Sequence, residues 1–507
     1  MFFLFLQSCL SYTLPQKIDH HDIYKGTFNQ TFYLDRTFYL EDSPSIIVYV
    51  SGLRPLSPRI FEMNNLIKIA EQSKSVLFAL EHRYFGTSEV FSTLSSENLT
   101  YFTIEQAIDD IGNFTRYLKQ EWCTKSRKCP LILVGEDFGG TISIWAKQQF
   151  PDLIDGVWAD SSPLYATNDY DGADSYYSYV FGNFNRNCLS TTSYGLNQIN
   201  QIFISDNQTA IDELYSQFHE TNDTIPIKDN FLYALTNFVY SAVEIWIQGN
   251  PEILSKYCKD ISPSNFREKL HEALLQNFTG PLHSFDPTFP KDENDKTMRT
   301  KRLWTYLMCH ELGWISVSQP EGIAFRIMPS NLNQSYSSES ICNELFGFNQ
   351  ESREYFNFHH GGKTPRVPSV IYTNSINSNN TKVMYNEPSD EANEIFSFTY
   401  NDYSASALDY QGVYDSPELK NARNVTISTL VEWLTTDSNC NHGVARLHKC
   451  VCNKGYTGPL CNLRTMRNEY TSMTTAAVTI PTIVMFLIGI LAWCLFIEST
   501  KESKPFC

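Results

Sequence analysis

Four stretches are apolar and β-branched with little polar interruption: Ser45–Val50, Ser75–Leu80, Leu131–Val134 and Val367–Tyr372. Short runs of this kind, without alternation, predict strands buried on both faces. Elsewhere the apolar positions take a helical period, at Ile104–Gln120 and at Thr141–Phe150, where Pro151 stops the helix. Strand, turn, helix, strand in this rhythm predicts an α/β fold on a mostly parallel sheet. From 166 to 362 the pattern becomes richer in Asn, Tyr and Phe, with helical stretches at Phe231–Trp246 and Phe266–Leu275. This reads as a helical insertion dividing the α/β core into a first part, 13–165, and a second, 363–436.

The two ends carry different signals. Residues 1–12 form a short apolar run with small residues behind it, the pattern of a signal peptide without its usual basic start. Thr475–Ile497 holds no charged residue, and roughly 20 apolar residues cross a bilayer, so it reads as a transmembrane helix followed by a short tail, 498–507. Arg464 and Arg467 before the span balance Lys501 and Lys504 after it, so flanking charge leaves the orientation open. Nine Asn-x-Ser/Thr sequons precede the span, at Asn29, Asn98, Asn113, Asn207, Asn222, Asn277, Asn333, Asn379 and Asn424. With the leader they predict a glycosylated type I membrane protein whose body is extracellular or lumenal, in the plasma or endolysosomal membrane. Cys494 and Cys507 near the tail are candidates for palmitate or plain thiols. The formal charge of −17 argues against nucleic acid as a partner and names no substrate.

Six cysteines lie in the body (Cys123, Cys129, Cys188, Cys258, Cys309, Cys342) and four in a cluster (Cys440, Cys450, Cys452, Cys461). Both counts are even, as an oxidising compartment favours, and the body's pairing stays open, although Cys123 and Cys129 are spaced to close a small loop. The segment from Cys450 to Cys461, with Cys440-Asn441-His442-Gly443 ahead of it, looks like the C-terminal part of an EGF-like module spanning 437–463. That resemblance implies the bridges Cys440–Cys450 and Cys452–Cys461 and a role as a stalk or contact surface. Zinc is the rival for four clustered cysteines, and the Cys-x-Cys spacing argues against it. No other metal or cofactor motif is present, so none is expected.

The candidate chemistry lies where Leu131–Val134 runs into Gly135-Glu136-Asp137-Phe138-Gly139-Gly140. An apolar strand, a Gly-x-x-x-Gly turn and a helix make the context of a nucleophile elbow, whose central position normally holds serine. Gln16-Lys17-Ile18-Asp19-His20, Glu81-His82-Arg83-Tyr84-Phe85-Gly86-Thr87-Ser88, the elbow with Phe150-Pro151, Ser161-Ser162-Pro163, Cys309-His310-Glu311 and Gly361-Gly362 add further marks. Together they make the chain, over about residues 16–435, similar to the serine carboxypeptidases that include lysosomal prolyl carboxypeptidase. The resemblance implies an α/β-hydrolase core with an inserted helical domain, and a homodimer is compatible with it. It also implies a Ser-Asp-His triad that cleaves beside proline. Carried over by position, those three residues fall on Asp137, Ser378 and Ser406, and the oxyanion amide falls on Phe138. The family's Gly-Gly-Glu segment reads Ser51-Gly52-Leu53. No histidine occurs between His360 and His442.

Acylation of serine needs a hydroxyl, a base and a group orienting that base, and none stands in its place. Three readings follow. The first is a pseudoenzyme that binds peptides or an extracellular protein. The second is an enzyme in which Asp137 is the nucleophile and His359 or His360 is recruited as base. The third is an active serine exopeptidase whose motifs lie elsewhere. Trp145 and Trp158 are expected in the core, Glu136 and Arg83 in structural roles, and Ser143 inside a helix, where it is a poor nucleophile.

Overall fold

The structure is a computed structural model. It describes residues 10–41, 44–62, 65–123, 129–168, 172–218, 228–247, 252–277, 298–315, 327–329, 338–347, 352–362, 367–375, 395–400, 407–408, 415–435, 443–446, 449–452, 454, 456–457 and 463–464. The chain divides into two units, Met1–Thr435 and Thr436–Cys507.

The first unit is built on an eight-stranded sheet in the order β1-β2-β4-β3-β5-β6-β7-β8. Its strands are β1 (Leu10–Lys17), β2 (Thr27–Asp35), β3 (Ile46–Val50), β4 (Val76–Leu80), β5 (Leu131–Glu136), β6 (Gly156–Asp160), β7 (Val370–Ser375) and β8 (Ile395–Tyr400). The β1–β2 and β2–β4 pairings are antiparallel, and every later pairing is parallel. All residues of β3, β4 and β6 are buried, which is why β3 and β4 read as unbroken apolar runs rather than alternating ones. β1 includes Leu10–Tyr12, residues that the sequence pattern assigns to the leader.

The helices are α1 (Leu66–Ser73), α2 (Ser96–Leu99), α3 (Ile104–Trp122), α4 (Asp137–Gln149), α5 (Gly172–Ile204), α6 (Gln208–Gln217), α7 (Lys228–Ile247), α8 (Glu252–Cys258), α9 (Phe266–Asn277), α10 (Arg299–Leu307), α11 (Ser338–Phe346), α12 (Glu354–His360) and α13 (Pro417–Thr435). Thr103 caps α3, accepting from the Gln106 amide, and α3 packs on α4 while α1 packs on α13. α5 to α12 all lie between β6 and β7 in the chain. α5 is broken at Asn185 (φ −157°, ψ 101°), whose side chain caps the continuing helix at the Cys188 amide. Disulfides join Cys123 to Cys129, Cys188 to Cys258 and Cys309 to Cys342.

A buried polar frame accounts for the Glu81–Ser88 motif. Arg83, 0% exposed, binds both carboxylate oxygens of Asp110 at 2.6 and 2.8 Å and donates to the carbonyls of Lys17, Ile18 and Tyr101. His20 meets the same carboxylate at 2.7 Å. Burial raises the Asp110 pKa, but Arg83 and His20 together outweigh it and hold the carboxyl below its usual value. Glu81 accepts from the amides of Leu56, Thr87 and Ser88 and from the Ser88 hydroxyl. A Cβ on Gly86 (φ 53°) would meet the Glu81 carboxylate at 1.9 Å, so the glycine is required there.

The second unit contains two antiparallel pairs, β9 (Gly443–Arg446) with β10 (Lys449–Cys452) and β11 (Tyr456–Thr457) with β12 (Leu463–Arg464). Cys450 and Cys452 lie on β10, while Cys440 and Cys461 lie outside the described residues. Also outside them are Thr475–Ile497, the tail, Ser378, Ser406, Asn222, Asn333 and Asn379. Among the described residues no helix is long and apolar enough to cross a membrane.

Candidate active site

The register aligns the C-terminal ends of the parallel strands: Glu136 of β5 pairs with Asp160 of β6, and Asp160 with Thr373 of β7. At this edge β5 passes into α4 through Asp137, which has φ 48° and is solvent-exposed. Left-handed backbone is costly for a residue with a side chain, and Asp tolerates it better than most. Glycine packing enforces the turn. A Cβ on Gly135 would meet the Gly139 carbonyl carbon at 2.4 Å, one on Gly139 the Val50 oxygen at 2.3 Å, and one on Gly140 the Ser162 hydroxyl at 2.0 Å. The sequence pattern starts this helix at Thr141, and the structure starts it four residues earlier. The two glycines weaken the local helical signal, and close packing on β3 overrides it.

Two more non-glycine residues near this edge are left-handed, Tyr84 (φ 70°) after β4 and Ser161 (φ 51°) after β6. Strain of this kind concentrates at functional sites. Phe138, whose amide would face an oxyanion, lies in the first turn of α4, and its ring is 4% exposed. The Ser51-Gly52-Leu53 segment lies against the elbow, since a Cβ on Gly52 would be 3.3 Å from the Gly139 amide. Glu136 pairs with Arg54 and accepts from Tyr49 at 3.3 Å, which fastens this segment to the elbow. Neither Arg54 nor Tyr49 was singled out in the sequence, because both contacts join residues remote along the chain.

Among the described residues, three histidines bear on whether a base is at hand. His82 packs its ring 5.9 Å from Phe138, but it is 6% exposed and its Nδ1 lies 2.8 Å from the Arg83 carbonyl. Burial lowers its pKa to about 4. Among the described residues its Nε2 has no hydrogen-bond partner. His360 packs on Trp145 at 4.7 Å with the rings tilted by 42°, and the His359 carbonyl accepts from Gln148. Trp145 lies eight residues along α4 from Asp137, or about 12 Å at the helical rise. His360 therefore lies against the far half of α4.

Other expected roles hold in place. Trp145 and Trp158 are 1% and 0% exposed, and the Trp158 indole donates to Thr373, which donates in turn to Asp160. The Ser143 hydroxyl is spent on the Gly139 carbonyl at 2.7 Å inside α4. Asn374, at the end of β7, is 5% exposed, and its Oδ1 lacks a hydrogen-bond partner among the described residues. Glu311 was quoted only as part of a motif, yet it reaches from the insertion to accept the Ile104 amide at 2.8 Å, at the start of α3. Burial raises its pKa to about 8. No group of three or more metal-ligating side chains is found among the described residues.

A sheet of this order, whose fifth strand enters a helix through a left-handed residue, is that of an α/β-hydrolase body. The chain belongs to the serine carboxypeptidase S28 family, whose model matches residues 16–425. The lysosomal Pro-X carboxypeptidase of Bos taurus is 30% identical over 37% of this chain, and the match spans only 39% of that relative. A candidate serine protease of Caenorhabditis elegans is 24% identical over 84% of this chain and 88% of its own. Among solved structures, a proline iminopeptidase of Mycobacterium smegmatis covers 83% of this chain and 97% of its own at 9% identity, with a TM-score of 0.36.

Proposed function

We propose that this chain is a non-hydrolysing member of its family, held at a membrane by residues 475–497, whose extracellular or lumenal body binds a peptide or protein. The observation that carries the reading is Asp137: the elbow keeps its strained turn but presents a carboxylate where the family presents a hydroxyl. A carboxylate cannot be activated by proton removal as serine is, and in this reading Ser378 and Ser406 supply neither acid nor base. Exposure of Asp137 at a sharp turn also suits an attacking carboxylate, which is the second reading. That reading needs a base to release the ester; among the described residues His82 is buried beside Phe138 with its pKa lowered to about 4, and His360 packs on Trp145.

The test is hydrolysis of a proline-containing peptide library by the full chain, by Asp137→Ala and by Asp137→Ser. Inactivity of all three is expected, because restoring the hydroxyl alone leaves it without a base. Cleavage by the parent that Asp137→Ala abolishes would overturn the proposal and make Asp137 a working nucleophile.

A further inference from the structure

The register aligns Gly135 of β5 with Ala159 of β6, and Ala159 with Tyr372 of β7. Residues paired in this way share one face of a sheet, and a Cβ on Gly135 would point into Gly139 and Gly140 of α4. Tyr372, and Asn374 two residues on, therefore face the side on which the elbow helix lies. Thr373 between them faces the opposite side, where it meets Trp158 and Asp160. Asn374 stands one residue beyond Thr373, as Asp137 stands one beyond Glu136. The ladder continues at that level, with the Ser161 amide donating to the Thr373 carbonyl. Two strand spacings, about 10 Å, separate Asn374 laterally from the elbow residue. Among the described residues, neither the Tyr372 hydroxyl nor the Asn374 Oδ1 has a hydrogen-bond partner, although the two residues are 1% and 5% exposed. A polar atom buried in this state destabilises a fold. Tyr372 still fills the core with its ring, whereas Asn374 brings only its amide, and Asn is a poor strand former. Packing of β7 therefore does not account for Asn374. Its place does suggest a role, because ligands of open α/β sheets gather outside the carboxyl ends of the strands.

We infer that the Asn374 carboxamide anchors the backbone of a bound peptide, beside the elbow. The inference rests on the proposed reading that the body binds a peptide, and it names the residue that holds the peptide's main chain. A carboxamide carries a donor and an acceptor side by side, as a peptide group does, and a half-turn of its end exchanges Oδ1 for Nδ2. It is uncharged, so it offers a carboxylate or an ammonium no counter-ion and suits a neutral peptide group. About 10 Å is three residues of extended chain. A peptide residue lying over the elbow therefore places the peptide group about three positions away at Asn374. β7 is paired on both sides, by β6 and β8, so the amide stands on a rigid support and loses little freedom on binding.

The test titrates the full chain into a fluorophore-labelled, proline-containing peptide library and reads binding by anisotropy. The tightest binder is then N-methylated at each backbone amide in turn. Asn374→Leu, which keeps the branched shape, should weaken that binder about tenfold, equivalent to about 1.4 kcal/mol, while melting no lower than the parent. One N-methylated peptide should lose about tenfold against the parent and little more against Asn374→Leu. Tyr372→Phe removes the deeper hydroxyl and should melt no lower and bind as the parent does. Equal binding by Asn374→Leu and the parent would overturn the inference and leave the peptide-binding reading standing. So would N-methylation losses that are the same on both proteins, or weaker binding by Asn374→Leu that comes with a lower melting temperature. If the parent binds no member of the library, the peptide-binding reading falls and the inference falls with it.

Discussion

Arg83→Met should show that the Glu-His-Arg-Tyr motif is a structural frame. The substitution keeps most of the side chain's length and removes all five donated hydrogen bonds. Asp110, 1% exposed, would then be a buried carboxylate with only His20 left to oppose its charge. Breaking a buried pair from one side costs about 3–5 kcal/mol, and the three orphaned carbonyls lie within the same non-additive loss. For a body of roughly 420 residues the unfolding entropy is about 0.9 kcal/mol/K, so the melting temperature should fall by about 4–6 °C. The pH dependence carries a sign. In the parent Asp110 is held below its ordinary pKa, but without Arg83 burial raises it, so the variant's deficit should shrink as pH falls from 7 to 4.5. Arg83→Met with Asp110→Leu removes the stranded charge and should regain part of the loss. Thermal melts of the full chain followed by circular dichroism measure all of this. A single-variant shift under about 1 °C, or a double variant less stable than the single, would refute the reasoning.

Glu311→Gln keeps an acceptor for the Ile104 amide while removing the charge. Because the folded pKa is about 8, above the ordinary 4.5, Glu311 contributes its stability below 4.5 and loses it as pH rises through 8. The variant should therefore melt about 2 °C higher at pH 8 and unchanged at pH 4.5. His82 runs the other way. Its contribution is present above pH 6.5 and lost as pH falls through about 4, so His82→Phe should reduce acid sensitivity across that window in the same melts. Gly139→Ala drives a Cβ into the Val50 carbonyl and should abolish soluble expression, whereas Ser143→Ala in the next turn should not. Among the sequons, Asn29, Asn207 and Asn424 are exposed and should carry glycan in peptide mapping. Asn98 and Asn113 should not, since their Nδ2 atoms are committed to Thr93 and Gln16.

The parts of the fold that a sequence displays are those whose environment is uniform along the strand or helix. β3, β4 and β5 are apolar because helices cover both faces, and α3 is amphipathic because one side is wet, so both kinds were legible. β2 alternates only in part, and β6 is Gly-Val-Trp-Ala-Asp, whose glycine and aspartate interrupt the apolar run. Their identity comes from neighbours in the sheet, which local pattern does not contain. The elbow was legible because its glycines are forced by backbone contacts. What surrounds it was not: Arg54 meets Glu136 across 82 positions, and Glu311 meets Ile104 across 207.

In the proposed reading, the elbow explains how a body can outlast its chemistry. The turn at residue 137 is imposed by Gly135, Gly139 and Gly140 against β3 and Ser162, so any occupant must accept a left-handed backbone. Most side chains pay about 1–2 kcal/mol for that conformation, and Asp is among the few that visit it readily. Position 137 is also the first residue of α4, where a carboxylate gains about 0.3–1 kcal/mol from the unpaired amides of the helix start. A serine hydroxyl gains less there. Exchange of Ser for Asp is therefore close to neutral for folding, while it removes the one atom that acylation cannot do without. An exchange of that kind leaves the strands, the insertion and the strained edge under unchanged physical constraint. On the proposed reading, it also explains why the residues around Asp137 keep the form of an elbow.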